Sequence, residues 1–229
     1  MKKKILFVFF AMLALFGADL WAEPRLVAQN RHGYLVNALK YSADGKYLFS
    51  ASNIDAMVWD VATGKMIRSY AIKTWSGCDM APDGKSVVYV STDGIFKRSF
   101  VETGKEVNVF SGKIQDFCKV CYASNGKYYA IQNAKDAFKI YDAATDKVLY
   151  EWTNKGWMNT YGFAFGCDPN SGLTYFIRGE EDSILKIRNV IVYNLSGKDA
   201  GKIVYYKKLP LLTGIYGLAV SPGNKYIAI

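Results

Sequence analysis

A turn signature that returns about every 40 residues constrains this chain more than any single residue in it. It reads Ser42-Ala43-Asp44-Gly45-Lys46, then Ala81-Pro82-Asp83-Gly84-Lys85, then Ala123-Ser124-Asn125-Gly126-Lys127, and last Ser221-Pro222-Gly223-Asn224-Lys225. A second signature follows the first three turns, in which Asp60, Phe100 and Asp142 stand fifteen or sixteen residues after the turn glycine and lead into Gly64-Lys65, Gly104-Lys105 and Asp146-Lys147. Short apolar runs flank both signatures, so each cassette supplies four strands. That is the blade of an all-β propeller built from four-stranded antiparallel blades, of which about four and a half fit in the chain. Asp44, Asp83 and Asn125 are turn formers, expected to bond the local backbone in type I′ geometry beside a glycine with positive φ.

The first blade is expected to place its strands, a to d, at 36–41, 47–51, 56–60 and 66–71. The second has them at 76–80, 86–90, 95–100 and 106–110, and the third at 117–122, 128–132, 137–141 and 148–152. Inner strands are covered on both faces, so an unbroken run such as Ser86-Val87-Val88-Tyr89-Val90 suits them. The fourth cassette is longer: twenty-two residues separate Gly172 from Asn194, an insertion of about six that begins in the b–c loop at Arg178-Gly179-Glu180-Glu181-Asp182. Insertions in repeat proteins gather on one face, often the binding one.

Ahead of the cassettes, Met1-Lys2-Lys3-Lys4 is followed by an apolar run at 5–16 and by Ala22 before Glu23-Pro24. Twelve apolar residues are too few for a membrane-spanning helix, which needs ~20. They suit the apolar region of a signal peptide. Residues 1–22 are therefore read as a cleaved signal and 23–229 as the propeller domain, exported to the periplasm or beyond and not transmembrane after processing.

Removing the signal leaves 26 basic and 19 acidic residues, an excess that invites a nucleic-acid partner. The lysines, however, are scattered over the turns, at 46, 65, 85, 105, 127, 147, 198 and 225, with no recognition helix. No nucleic acid is expected; a weak contact of the lysine-bearing turns with an anionic envelope surface is. Cys118-Lys119-Val120-Cys121 has redox spacing but falls on an inner strand, where residues three apart point to opposite faces. Only one histidine is present, so imidazole-based metal sites and Ser-His or Cys-His nucleophiles have only His32 to draw on. No catalytic, metal or cofactor residue is assigned.

His32, Val36, Leu39, Tyr41, Asp44 and the pair Trp59-Asp60 together resemble one repeat of the WD-repeat family of propellers. Later cassettes depart from it, with Ser99-Phe100, Tyr141-Asp142 and Tyr193-Asn194 in place of Trp-Asp, and quinoprotein-like and YVTN-type bacterial propellers are near neighbours. The resemblance implies structural roles for His32, Asp44, Trp59 and Asp60, with His32 bonded inside its own blade. It also implies ring closure, with 25–29 placed as a strand d. Because 226–229 aligns with the middle of a strand b, the chain is expected to be part of a longer, seven-bladed ring.

Propeller geometry gathers b–c loops and d–a connections on one rim. That rim would carry Asp55, Asp93, Asp136, Glu180, Glu181 and Asp182 with the aromatics Tyr34, Trp75 and Trp157, while the turn lysines occupy the other. Exposed Trp and Tyr beside polar groups make interface anchors. Tyr34, Trp75, Trp157, Arg178, Glu180, Glu181 and Asp182 are the candidate binding residues. The expected function is a non-catalytic scaffold for protein or peptide partners. The alternative is a periplasmic enzyme or carbohydrate-binding propeller with ligands partly in blades beyond the chain given.

Overall fold

The structure, a computed structural model, describes residues 31–229 apart from 75, 115–117, 134–137, 153–157, 160–161, 169, 183–186, 210–217, 222–224 and 229. For 111–112, 133, 158–159, 180–182 and 187–188 it describes the backbone alone. The proposed signal segment lies outside the described residues.

Four-stranded antiparallel sheets follow one another along the chain. The first joins β1 (Ala38–Tyr41), β2 (Tyr47–Ala51), β3 (Asp55–Asp60) and β4 (Met66–Ala71) in that order. The second joins β5 (Cys78–Met80), β6 (Ser86–Val90), β7 (Ile95–Phe100) and β8 (Glu106–Lys113). The third joins β9 (Cys118–Tyr122), β10 (Tyr128–Asn133), β11 (Phe138–Asp142) and β12 (Val148–Trp152). In the fourth, β13 (Met158–Asn159) and β14 (Phe163–Cys167) both pair with β15 (Thr174–Asp182), followed by β16 (Ile187–Asn194) and β17 (Ile203–Leu209). A final pair, β18 (Ala219–Val220) and β19 (Ile227–Ala228), begins a fifth. Such a succession of about four and a half sheets is the propeller architecture read from the cassettes. Strand bounds differ from expectation by two residues or fewer, except for β8, which runs on to Lys113.

Apolar side chains from neighbouring sheets meet between them. Phe49, Val58 and Tyr70 of the first sheet pack with Met80, Val87 and Tyr89 of the second. Val88, Val90 and Phe96 pack with Tyr122, Tyr129 and Tyr141, and Phe138 and Ile140 with Phe176, Ile191 and Tyr193. Each such side chain contributes about 1.5–3 kcal/mol by leaving water. Inner strands of successive sheets lie side by side, β5 beside β9 and β9 beside β14.

The a–b turns correct one expectation. The Gly45 amide donates to the Ser42 carbonyl at 2.9 Å, Gly84 to Ala81 and Gly126 to Ala123 alike, and in each turn only the glycine has positive φ. A type I′ turn needs positive φ at both central residues, so these are type I turns ending in glycine. The Asx bonding holds: the amides of Lys46, Lys85 and Lys127 donate to Asp44, Asp83 and Asn125, each at 3.0 Å.

Candidate functional site

The rim of b–c loops and d–a connections holds the most connected polar group of the first sheet. The His32 ring contacts Asp55 through Nδ1 and Ser50 Oγ through Nε2, the latter at 2.7 Å. Trp59 Nε1 donates to the same Ser50 oxygen at 2.8 Å, the Gly33 amide donates to Asp55 at 2.8 Å, and the Ser52 hydroxyl donates to Asp55. Burial alone would raise the Asp55 carboxyl, but the Gly33 amide, the Ser52 hydroxyl and the His32 ring outweigh it and hold the group below its ordinary value. His32 and Trp59 thus bond within the first sheet's own cassette. Ser50 and Asp55 complete the network; Asp55 was read from the sequence only as a rim acid and Ser50 was not singled out, and the signal was a serine on strand b and an aspartate opening strand c of the one cassette that carries both His and Trp.

Asp44 and Asp60 serve turns. Asp44 accepts from the Ser42 hydroxyl and the Lys46 amide, and these two bonds lower its carboxyl. Asp60 accepts from the Thr63 hydroxyl and amide at 2.7 and 2.8 Å, which lowers it likewise. On the rim, Asp93 is taken up by the Ser91 hydroxyl and the Ile95 amide of its own loop. Asp55 and Asp93 are thus ionised carboxylates engaged by donors nearby, and these donors hold both groups below their ordinary value. Asp136, Trp75 and Trp157 lie outside the described residues. Tyr34 stands open, 52% exposed.

Arg178 is corrected outright: it is not a loop residue. It lies on β15, 5% exposed, where its Nε and Nη2 donate to the Tyr193 hydroxyl at 3.2 and 2.8 Å and its guanidinium lies over the rings of Phe138 and Tyr193. A long, planar cation on a strand facing an aromatic core is held by stacking and by the phenol oxygen.

Glu180, Glu181 and Asp182 are also strand residues. They continue β15 and pair with Asn189, Arg188 and Ile187 of β16. In the first sheet the corresponding ladder ends at Ala51 opposite Ala56, and in the fourth Gly179 opposite Val190 holds that place. The insertion therefore adds three residue pairs to the hairpin, about 10 Å of ladder at ~3.4 Å per residue. β13 joins this extension beside Glu181 and Asp182, and β17 reaches it with Leu209 opposite Arg188. The fourth sheet thus projects from the rim as a paired, four-stranded tongue.

Among the described residues, two ion pairs tie neighbouring sheets together away from the rim. Lys40 Nζ donates to both oxygens of buried Asp79 at 2.9 and 3.0 Å, and Asp79 also accepts from the amides of Met80 and Tyr122, at 2.8 and 2.7 Å. Burial pushes the Asp79 carboxyl up, against the pull of the Lys40 ammonium and the Tyr122 amide. The second contact joins Arg98 to Asp146. Cys78, Cys118, Cys121 and Cys167 are free thiols. Burial pushes the first two up and Cys121 up to about 12, so all three are neutral at physiological pH. Among the described residues no three His, Cys, Asp or Glu side chains gather as a metal site.

No family model matches the chain, and no curated protein matches it at a significant level.

Proposed function

We propose that this chain is an exported, WD-repeat-like propeller that acts as a non-catalytic scaffold, taking a protein or peptide partner on the rim where the b–c hairpins project. The observation that carries this reading is the hairpin of the fourth sheet, lengthened by three residue pairs while the first sheet stops at Ala56. An insertion built as paired strand, with two neighbouring strands drawn in beside it, is a stiff platform that loses little entropy on binding. Tyr34, open on the same rim, supplies an amphipathic aromatic of the kind interfaces use as anchors. The WD-repeat assignment is supported by the contacts of His32 with Asp55 and Ser50 and by the Trp59 bond to Ser50. The non-catalytic reading is supported by the engagement of the one histidine with Asp55 and Ser50.

Removal of 180–182 and 187–189 would cut the hairpin to the length of its counterparts while keeping residues 183–186. In cross-linking on cells, the expected outcome is loss of partners linked to the rim from the shortened variant, with its melting temperature close to that of the parent. An unchanged set of cross-linked partners would overturn the reading.

A further inference from the structure

The outer strand of each sheet turns one edge to solvent, and β17 does so unlike the others. In β4 Tyr70 is buried, and in β12 Tyr150 and Trp152 pack onto the core between the third and fourth sheets. In β17 every residue before Leu209 is exposed, with Ile203 at 55% and Val204, Tyr205 and Tyr206 close to half. β17 pairs with β16 alone, from Ile203 opposite Tyr193 to Leu209 opposite Arg188. Its other edge therefore leaves a row of backbone N–H and C=O groups unpaired with any strand among the described residues.

We propose that this free edge receives an extended, acidic peptide segment of a partner protein as an added β-strand. Ile203, Val204, Tyr205 and Tyr206 are the residue types that favour extended backbone, and adjacent Tyr205 and Tyr206 offer a ring on each face of the sheet to flank an incoming strand. Lys207 and Lys208 follow at once, both exposed, and neither forms an ion pair among the described residues. Two adjacent unpaired cations at the end of a free edge select an acidic occupant and repel a second copy of the same lysine-bearing edge. The surface adjoins the rim tongue without being part of it: Ile203 to Lys207 pair with residues of β16 beyond the insertion, and of the two lysines only Lys208, opposite Asn189, sits at its base.

The test is fluorescence anisotropy of a labelled peptide alternating valine and glutamate, titrated with the full chain. A second peptide of the same sequence, N-methylated at every amide, keeps the charge and removes the strand-pairing donors on both edges. Saturable binding of the first peptide is expected, weakened by about tenfold or more by the exposed double substitution K207E/K208E and absent for the N-methylated peptide. The shortened-hairpin variant keeps Ile203 to Lys207 paired with β16 and should still bind the peptide saturably, which separates failure here from failure of the rim reading. Equal binding of the N-methylated peptide would overturn the proposal, because charge alone then suffices. So would binding to phosphatidylglycerol-containing vesicles, or a concentration-dependent dimer, that K207E/K208E abolishes while the peptide fails to bind.

Discussion

Arg98 of the second sheet and Asp146 of the third form an ion pair across the sheet boundary, and Asp146 holds it from a left-handed backbone conformation with φ of 58°. Gly64 and Gly104 occupy the same place in the first two c–d turns with φ of 65° and 71°, so the turn calls for glycine and the third sheet departs from it. The carboxylate explains the departure. It accepts from the Tyr129 hydroxyl at 2.6 Å as well as from Arg98, whose guanidinium also donates to the Ala143 carbonyl at 2.6 Å. Burial and the neighbouring Asp146 carboxylate push the Tyr129 hydroxyl up, so it remains a donor.

Replacing Asp146 by Gly relieves the backbone and strips a buried cation of its partner. The second effect is larger, since breaking a buried pair costs ~3–5 kcal/mol against ~1–2 for a left-handed residue. Urea denaturation of Asp146→Gly should show a net loss of about 2 kcal/mol or more. A gain in stability would mean that the turn strain outweighs the pair.

The Asp55 network sets the acid sensitivity of the first sheet. A carboxyl held below its unfolded value contributes stability that is present above the unfolded pKa of ~3.9 and is lost as pH falls through the folded one. Asp55→Asn should therefore be less stable than the parent at neutral pH, with the gap closing below about pH 4. A gap that stays constant down to the acid transition would contradict this. Trp59→Phe, which removes the bond to Ser50 together with part of the indole's bulk, should cost ~1 kcal/mol or more at neutral pH by thermal melting.

Gly77 marks a close approach of two inner strands. A methyl group there would lie 2.5 Å from the Val120 amide nitrogen and 2.8 Å from the Lys119 carbonyl carbon, both backbone atoms that cannot turn aside. Gly77→Ala should destabilise by ~3 kcal/mol. Gly45→Ala, where φ is 70° and no atom stands near the added carbon, should cost only ~1–2 kcal/mol, all of it conformational. Equal costs would mean that the inner strands separate freely.

Neutral thiols react slowly, and of these Cys118 is buried and Cys78 and Cys121 are half-buried. Under native conditions at pH 8, iodoacetamide should leave Cys78, Cys118 and Cys121 unlabelled over a time in which the urea-unfolded chain reacts fully, as read by peptide mass spectrometry. Native labelling of Cys121 at the unfolded rate would contradict the neutral state assigned to it.

Export has its own measurement. Mass spectrometry of the N-terminus from secreting cells should find Glu23 first, and an intact Met1 in the membrane fraction would overturn the signal-peptide reading.

What the sequence determined by itself was the repeat. Turn chemistry is local: Asp44, Asp83 and Asn125 bond the amide two residues on, and a glycine with positive φ follows each of them, so the strand order and most strand bounds could be read from spacing alone. His32 and Trp59 could likewise be placed, because their cassette carries the pattern. Tertiary structure decided what non-local register decides. The six inserted residues could not be told from a loop by length, and only pairing with β16 made Glu180 to Asp182 a strand. Arg178 looked like a rim cation by charge; the aromatic core between the third and fourth sheets claimed it, because a guanidinium can be buried once a phenol oxygen and two rings receive it. Arg98 and Asp146, forty-eight residues apart, meet only because neighbouring sheets stack, and no local propensity reports a contact that depends on the packing of two separately formed sheets.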